Sequence, residues 1–241
     1  MNLCKISLLL AVALPFSGAL PLSGAFAQTA PSNAPLQLQP LTPPAGKSGK
    51  TTPPVANPGM SAREIVTKAN AYFNAQTNYS AEFVQLTTDG HRSEGELYVS
   101  KPGKMFFDYT KPAVLQIIAD GTSVAVRDKK LNTQDMYFIS QTPLKFLLSN
   151  TLDLAKDTKV LDVKSDADNV AILIEDKATL GGTSRIKLIF DPGTFELKQW
   201  IVTDPQGYET VVSLFNIDNK ARPDPELFHI NTATSTPTGK H

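Results

Sequence analysis

His91, His229 and His241 are the only imidazoles in the 241-residue chain, and none falls in a metal-ligand spacing or beside a nucleophile motif. Neither Gly-x-Ser-x-Gly nor a phosphate-binding glycine loop occurs. Glu94 and Glu96 are the best candidates for paired-carboxylate acid–base work, because residues two apart share one face of a strand. The same alternation produces any solvated strand face, and that is the reading adopted. Asp166 and Asp168 sit near a turn, where solvated charge is ordinary. The single cysteine, Cys4, lies at the extreme N-terminus in a segment expected to be removed, leaving no thiolate nucleophile, disulfide or thiolate metal site. The inventory points to binding rather than catalysis, with no cofactor and no metal expected. Charge adds to this: 23 basic residues balance 23 acidic ones, so neither nucleic acid nor an anionic membrane surface is an electrostatic partner.

Apolar side chains, by contrast, recur in a strong pattern. In the run Gly95 to Pro112, Leu97 and Val99 alternate with Glu96 and Tyr98, Lys101-Pro102-Gly103-Lys104 makes a turn, and Met105, Phe107 and Tyr109 alternate again. That pattern is a hairpin. Met105, Phe106 and Phe107 in succession require apolar bulk on both faces of the sheet, or at one rim.

Four segments are expected along the chain. Residues 1–27 read as a signal peptide: Lys5, an apolar run from Ile6 to Leu14, and Ala25-Phe26-Ala27 before the cleavage point. No stretch reaches the roughly 20 apolar residues of a membrane span. Residues 28–60 carry eight prolines and no aromatic or acidic residue, the composition of a disordered tether. Residues 61–231 form one domain, and 232–241 a flexible tail.

Within the domain, Ser61-Ala62-Arg63-Glu64 is a capping box, and Ile65, Ala69, Tyr72 and Phe73 give the following helix an apolar stripe that must cover a surface. Some eleven short strand patterns follow, separated by turns such as Asp120-Gly121, Asp191-Pro192-Gly193 and Asp204-Pro205-Gln206-Gly207. Tight turns imply consecutive antiparallel pairing and a sheet that curls toward a barrel. The exception is Thr142-Pro143-Leu144-Lys145-Phe146-Leu147-Leu148, read as a short inserted helix with Thr142 as N-cap and Pro143 at the first helical position. Apolar nearly all round, it must be covered on more than one side. The fold class is mainly β with α, an incomplete antiparallel barrel lidded by short helices. Periodicity alone leaves a filled core and an enclosed hydrophobic cavity both open.

Tyr79-Ser-Ala-Glu-Phe-Val-Gln85, the Gly95–Tyr109 hairpin with Pro112, Ile118-Ala-Asp-Gly-Thr122, and Gln141-Thr-Pro-Leu144 with its leucine-rich continuation follow one another in a particular order and spacing. By these pieces the sequence, over residues Ser61 to about Asn231, resembles the periplasmic outer-membrane lipoprotein carrier family (LolA). The resemblance implies a half-barrel whose hydrophobic cavity receives lipoprotein acyl chains. The partners implied are an inner-membrane lipoprotein-releasing ABC transporter and an outer-membrane acceptor or the outer membrane itself, with the chain expected to act as a monomer in the periplasm. Such a carrier is physically necessary, since exposing an acyl chain of about 16 carbons to water costs on the order of 13 kcal/mol at roughly 0.8 kcal/mol per CH₂. The cavity wall is assigned to Phe83, Leu97, Val99, Met105 and Phe107, and the lid to Leu144, Leu147 and Leu148.

In the resembling family a basic residue directly before the hairpin proline, usually Arg, ties the lid helices to the barrel. Here it is Lys101, a point charge with three donors rather than a planar fork, so bonding to several lid carbonyls at once is expected to be weaker or rearranged. Two other roles fit the same fold. One is a periplasmic lipid or lipoprotein sensor module, and the other a bifunctional carrier and insertase. A dedicated membrane-anchored acceptor is disfavoured, because Thr110-Lys111-Pro112-Ala113 is short and polar where an exposed apolar loop is needed.

Overall fold

The computed structural model describes residues 60–179 and 181–231, so the expected signal peptide, nearly all of the expected tether and the expected tail lie outside them. Helix α1 (Ala62–Ala75) begins as its capping box dictates: the Ser61 hydroxyl accepts from the Glu64 amide at 3.3 Å, and the Glu64 carboxylate accepts from the Ser61 amide at 2.7 Å. The expected stripe is its buried face, with Ile65, Ala69 and Phe73 buried and Tyr72 half-buried.

Six strands follow: β1 (Asn78–Thr87), β2 (Arg92–Ser100), β3 (Lys104–Tyr109), β4 (Leu115–Asp120), β5 (Ser123–Asp128) and β6 (Thr133–Phe138). Two short helices, α2 (Lys145–Leu148) and α3 (Leu154–Asp157), lead into β7 (Lys159–Ser165), β8 (Val170–Thr179), β9 (Gly182–Phe190), β10 (Leu197–Thr203) and β11 (Glu209–Asp218). The turns repeat one local device, an Asp whose carboxylate accepts the amides that follow. Asp120 takes those of Thr122 and Ser123, and Asp191 those of Gly193 and Thr194, all within 3.0 Å.

All eleven strands form one antiparallel sheet in the order β6-β5-β4-β3-β2-β1-β11-β10-β9-β8-β7. Pairing is consecutive except that β1 meets β11, which leaves β6 and β7 as the two edges. The segment joining β6 to β7 therefore connects the edges of an open, incomplete barrel. This segment carries α2 and α3, so its place in the sequence makes it the cover of the open side.

The insert departs from its expected form. Thr142 is not an N-cap; it closes a 3₁₀ turn, Ile139–Gln141, with its hydroxyl donating to the Ile139 carbonyl at 2.9 Å. α2 starts later, after Leu144, and a second helix, α3, follows it. The β-region backbone of Thr142, at φ −113° and ψ 152°, fits the bias toward extended conformations before proline.

Both faces of β3 are covered, as the Met105-Phe106-Phe107 run requires. Met105 and Phe107 join the large inner core, while Phe106 lies on the outer face with Ile118 and Ala125 beneath Phe228 and Ile230. Phe228 belongs to a 3₁₀ turn, Pro225–Phe228, that caps itself through Asp224.

Candidate functional site

The inner face of the sheet is an apolar floor. Phe83, Leu97, Val99, Met105 and Phe107, the five residues expected in the wall, are each at most 1% exposed and belong to one cluster with Leu144, Leu147 and Leu148, the three expected in the lid. Strand alternation puts them there: Leu97 pairs with Phe107 and with Ala81, and Val99 with Met105. The Phe83 ring meets Phe107 edge-on at 4.9 Å and Tyr109 at 5.0 Å, and Phe107 lies 6.5 Å from Trp200. The Tyr109 hydroxyl donates to Gln85 at 2.7 Å inside this core, and burial pushes its phenol well above the ordinary range.

Between α2 and strands β9 and β10 the packing leaves a void of about 10 Å³, lined by Leu144, Leu147, Ile186, Leu188, Trp200 and Val202 among others. That space is about the size of one water molecule. At this seam the side chains fill the interior, and room for a longer apolar chain requires the cover to move.

Lys101 sits at the β2–β3 turn with Nζ 2.7 Å from the carbonyl of Phe73, in the last turns of α1, and 5.8 Å above the Phe73 ring. Burial lowers its pKa to about 8. These contacts are to α1. The same turn reaches α2 by another route, the Gly103 amide donating to the Leu148 carbonyl at 3.0 Å. Gly103 has φ +75°, and a Cβ there would lie 2.6 Å from the Gly121 Cα, so both conformation and space call for glycine.

Several residues of this cover escaped sequence reasoning. Asn74 accepts from the Leu152 amide at 2.7 Å and donates to its carbonyl at 3.1 Å; Asn70 accepts from the Leu154 amide at 3.0 Å and donates to Asp153 at 3.3 Å. The available signal was two asparagines four apart on one helix face, residues that suit caps and turns better than helix interiors. Lys145, at the start of α2, pairs with Asp176 of β8 at 2.7 Å.

The candidates for acid–base chemistry lie on the outside, Glu94 and Glu96 together on the exposed face of β2 and Asp166 and Asp168 in a distant turn. Glu94 pairs with Arg92 at 2.7 Å, both side chains half-exposed, and Glu96 accepts from the Tyr98 hydroxyl. Asp166 accepts from the Asp168 and Asn169 amides in a turn.

Residues 74–231 match the family described as outer membrane lipoprotein carrier protein LolA. The chain belongs to this family. Among its relatives is an outer-membrane lipoprotein carrier protein of Methylobacillus flagellatus, 36% identical over 72 residues, which are 28% of this chain and 35% of that protein. Another, from Methylococcus capsulatus, is 27% identical over 173 residues, 68% of this chain and 82% of that protein. A solved LolA superfamily protein from Nitrosomonas europaea superposes with a TM-score of 0.42 at 14% identity, over 71% of this chain and 99% of that one. Among the described residues, no helix is long and apolar enough to cross a membrane.

Proposed function

We propose that the protein is a periplasmic carrier that takes lipoprotein acyl chains between its helical cover and the inner face of its open sheet, moving them from the inner to the outer membrane without catalysing a reaction. The observation that carries this reading is the continuous apolar layer from Phe83 and Phe107 to Leu144 and Leu147, closed by short helices that polar contacts fasten. A monomolecular core needs no such fastening, because apolar burial alone holds it shut. A removable cover does, since its closed state must be specific yet only modestly favoured over the loaded one.

In this reading the wall is Phe83, Leu97, Val99, Met105 and Phe107, and Lys101 is the latch that holds the end of α1 against the hairpin. Loading breaks the Lys101–Phe73 contact and replaces side-chain packing with acyl chain. The donor is an inner-membrane lipoprotein-releasing ABC transporter, and the destination an outer-membrane acceptor or the membrane itself. Residues 1–27 direct export, and 28–60 tether the domain.

Native mass spectrometry of protein purified from the periplasm tests this. A co-purifying triacylated lipoprotein, displaced by an acyl competitor, is the expected result. Absence of any adduct, together with no transfer from vesicles containing the transporter, would refute carriage. Lys101→Ala is expected to fold but to unload poorly; normal transfer to acceptor membranes would remove Lys101 from the cycle.

A further inference from the structure

We infer that acyl chains enter along the seam between α2 and strands β8–β10, and that the Lys145–Asp176 ion pair is the catch that keeps this seam closed. The inference rests on the carrier reading above and adds to it the place of entry and the contact that controls it.

Three observations converge on the seam. First, the void of about 10 Å³ lies there, under Leu144 and Leu147 and against Ile186 and Trp200. Side chains around a void have given up part of their contacts, so parting them there sacrifices least. Second, the rest of the cover is tied to itself. Asn70 and Asn74 hold the backbone at Leu152 and Leu154, so α1 and the start of α3 form one unit. α2 lies outside that unit, separated from it by Ser149–Thr151. Its polar contacts with the sheet and hairpin include Lys145 with Asp176 at one end and the Leu148 carbonyl with Gly103 at the other.

Third, the ion pair is misplaced for mere stability. Asp176 continues the inward-facing series Val170, Ile172, Ile174 of β8 and is 5% exposed, while Lys145 is 22% exposed. A carboxylate on an apolar face is costly unless its partner is present, and apolar residues would serve a permanent core at least as well. As a catch the pair has two useful properties. It is directional, fixing α2 in one position, and it is reversible, because both groups hydrate once the seam opens. The apolar surface bared by lifting α2 is then covered by the incoming chain.

Trp200 lines the void, with Phe107 of the inner face 6.5 Å away, and is the only tryptophan in the sequence, so all of the emission comes from this region. The test is stopped-flow quenching of Trp200 in the full chain by a bromine-labelled long-chain fatty acid. The wild type is compared with Asp176→Asn and the charge-exchanged double variant Lys145→Asp/Asp176→Lys. Asp176→Asn is expected to quench about tenfold faster, and the exchanged pair to return toward the wild-type rate. Lys145→Gln, made at the more exposed partner, gives the same comparison if Asp176→Asn fails to fold. Glu175→Gln, whose carboxylate on the same strand faces Lys159 and Arg185, is the control and is expected to leave the rate unchanged. Equal rates in wild type, Asp176→Asn and Lys145→Gln overturn the catch. Fatty acid that binds in equilibrium dialysis without quenching Trp200 overturns the entry site while leaving carriage intact. Failure of every variant and the wild type to bind fatty acid or lipoprotein refutes the carrier reading itself.

Discussion

The sheet buries apolar side chains on both faces, and the two covers are built differently. Over the outer face, Phe228 and Ile230 lie on Phe106, Ile118 and Ala125, with the Gln134 amide donating to the Asn231 carbonyl at 3.1 Å. Over the inner face, α1, α2 and α3 are held by an ion pair, a lysine on a helix carbonyl, a hairpin amide and two asparagine clamps. The outer cover is held mainly by grease and the inner one by grease plus polar fastenings. Apolar contact is non-directional and hard to undo, whereas a polar contact can be exchanged for water at small net cost. In the carrier reading proposed above, this difference suits an inner cover that moves and an outer one that does not.

The largest expected effect is at the floor of the inner face. Phe107→Ala should lower unfolding free energy by about 3–5 kcal/mol in urea titrations and weaken acyl binding as well. On the outer face, Phe228→Ala should cost about 3 kcal/mol, the low end of the same range, yet leave acyl binding unchanged. Loss of acyl binding in folded Phe228→Ala would erase the distinction between the two covers.

A smaller effect is expected at a clamp. Asn74→Ala removes both bonds to Leu152, and should destabilise by about 1–2 kcal/mol while raising amide exchange at Leu152 and Leu154 above that of the strands. Uniform exchange across the domain would mean the cover does not open separately.

A pH dependence is expected at Lys101. Lys101 has its folded pKa lowered to about 8 by burial, against an ordinary value of 10.5. Between these values the unfolded chain binds more protons than the folded one, so this residue makes stability rise with pH across that window. Its penalty is fully present below about pH 8. Lys101→Met should flatten the rise in unfolding free energy measured by urea denaturation from pH 7.5 to 10.5, and an unchanged slope would place the lysine in water instead.

Much of the scaffold was legible because its causes are local. The Ser61–Glu64 box set the start of α1, the Asp-first turns separated strands, and the succession Met105-Phe106-Phe107 announced a two-faced sheet. The insert was legible only in outline. Its leucines marked a covered helix, but pairing, 3₁₀ closure at Thr142 and the break before α3 depend on the surfaces beneath.

By itself, then, the sequence determined which residues form strands, which face of each is apolar, and that a greasy insert lies between two runs of strands. Those properties follow from alternation and turn chemistry within about ten residues. Only the tertiary structure decided how the cover is fastened. Lys101 meets Phe73 across 28 positions and Asn70 meets Asp153 across 83. A lysine, an asparagine or an aspartate carries no local sign of such a partner, because a polar side chain's partner is chosen by where the sheet brings the backbone, not by its neighbours in the chain.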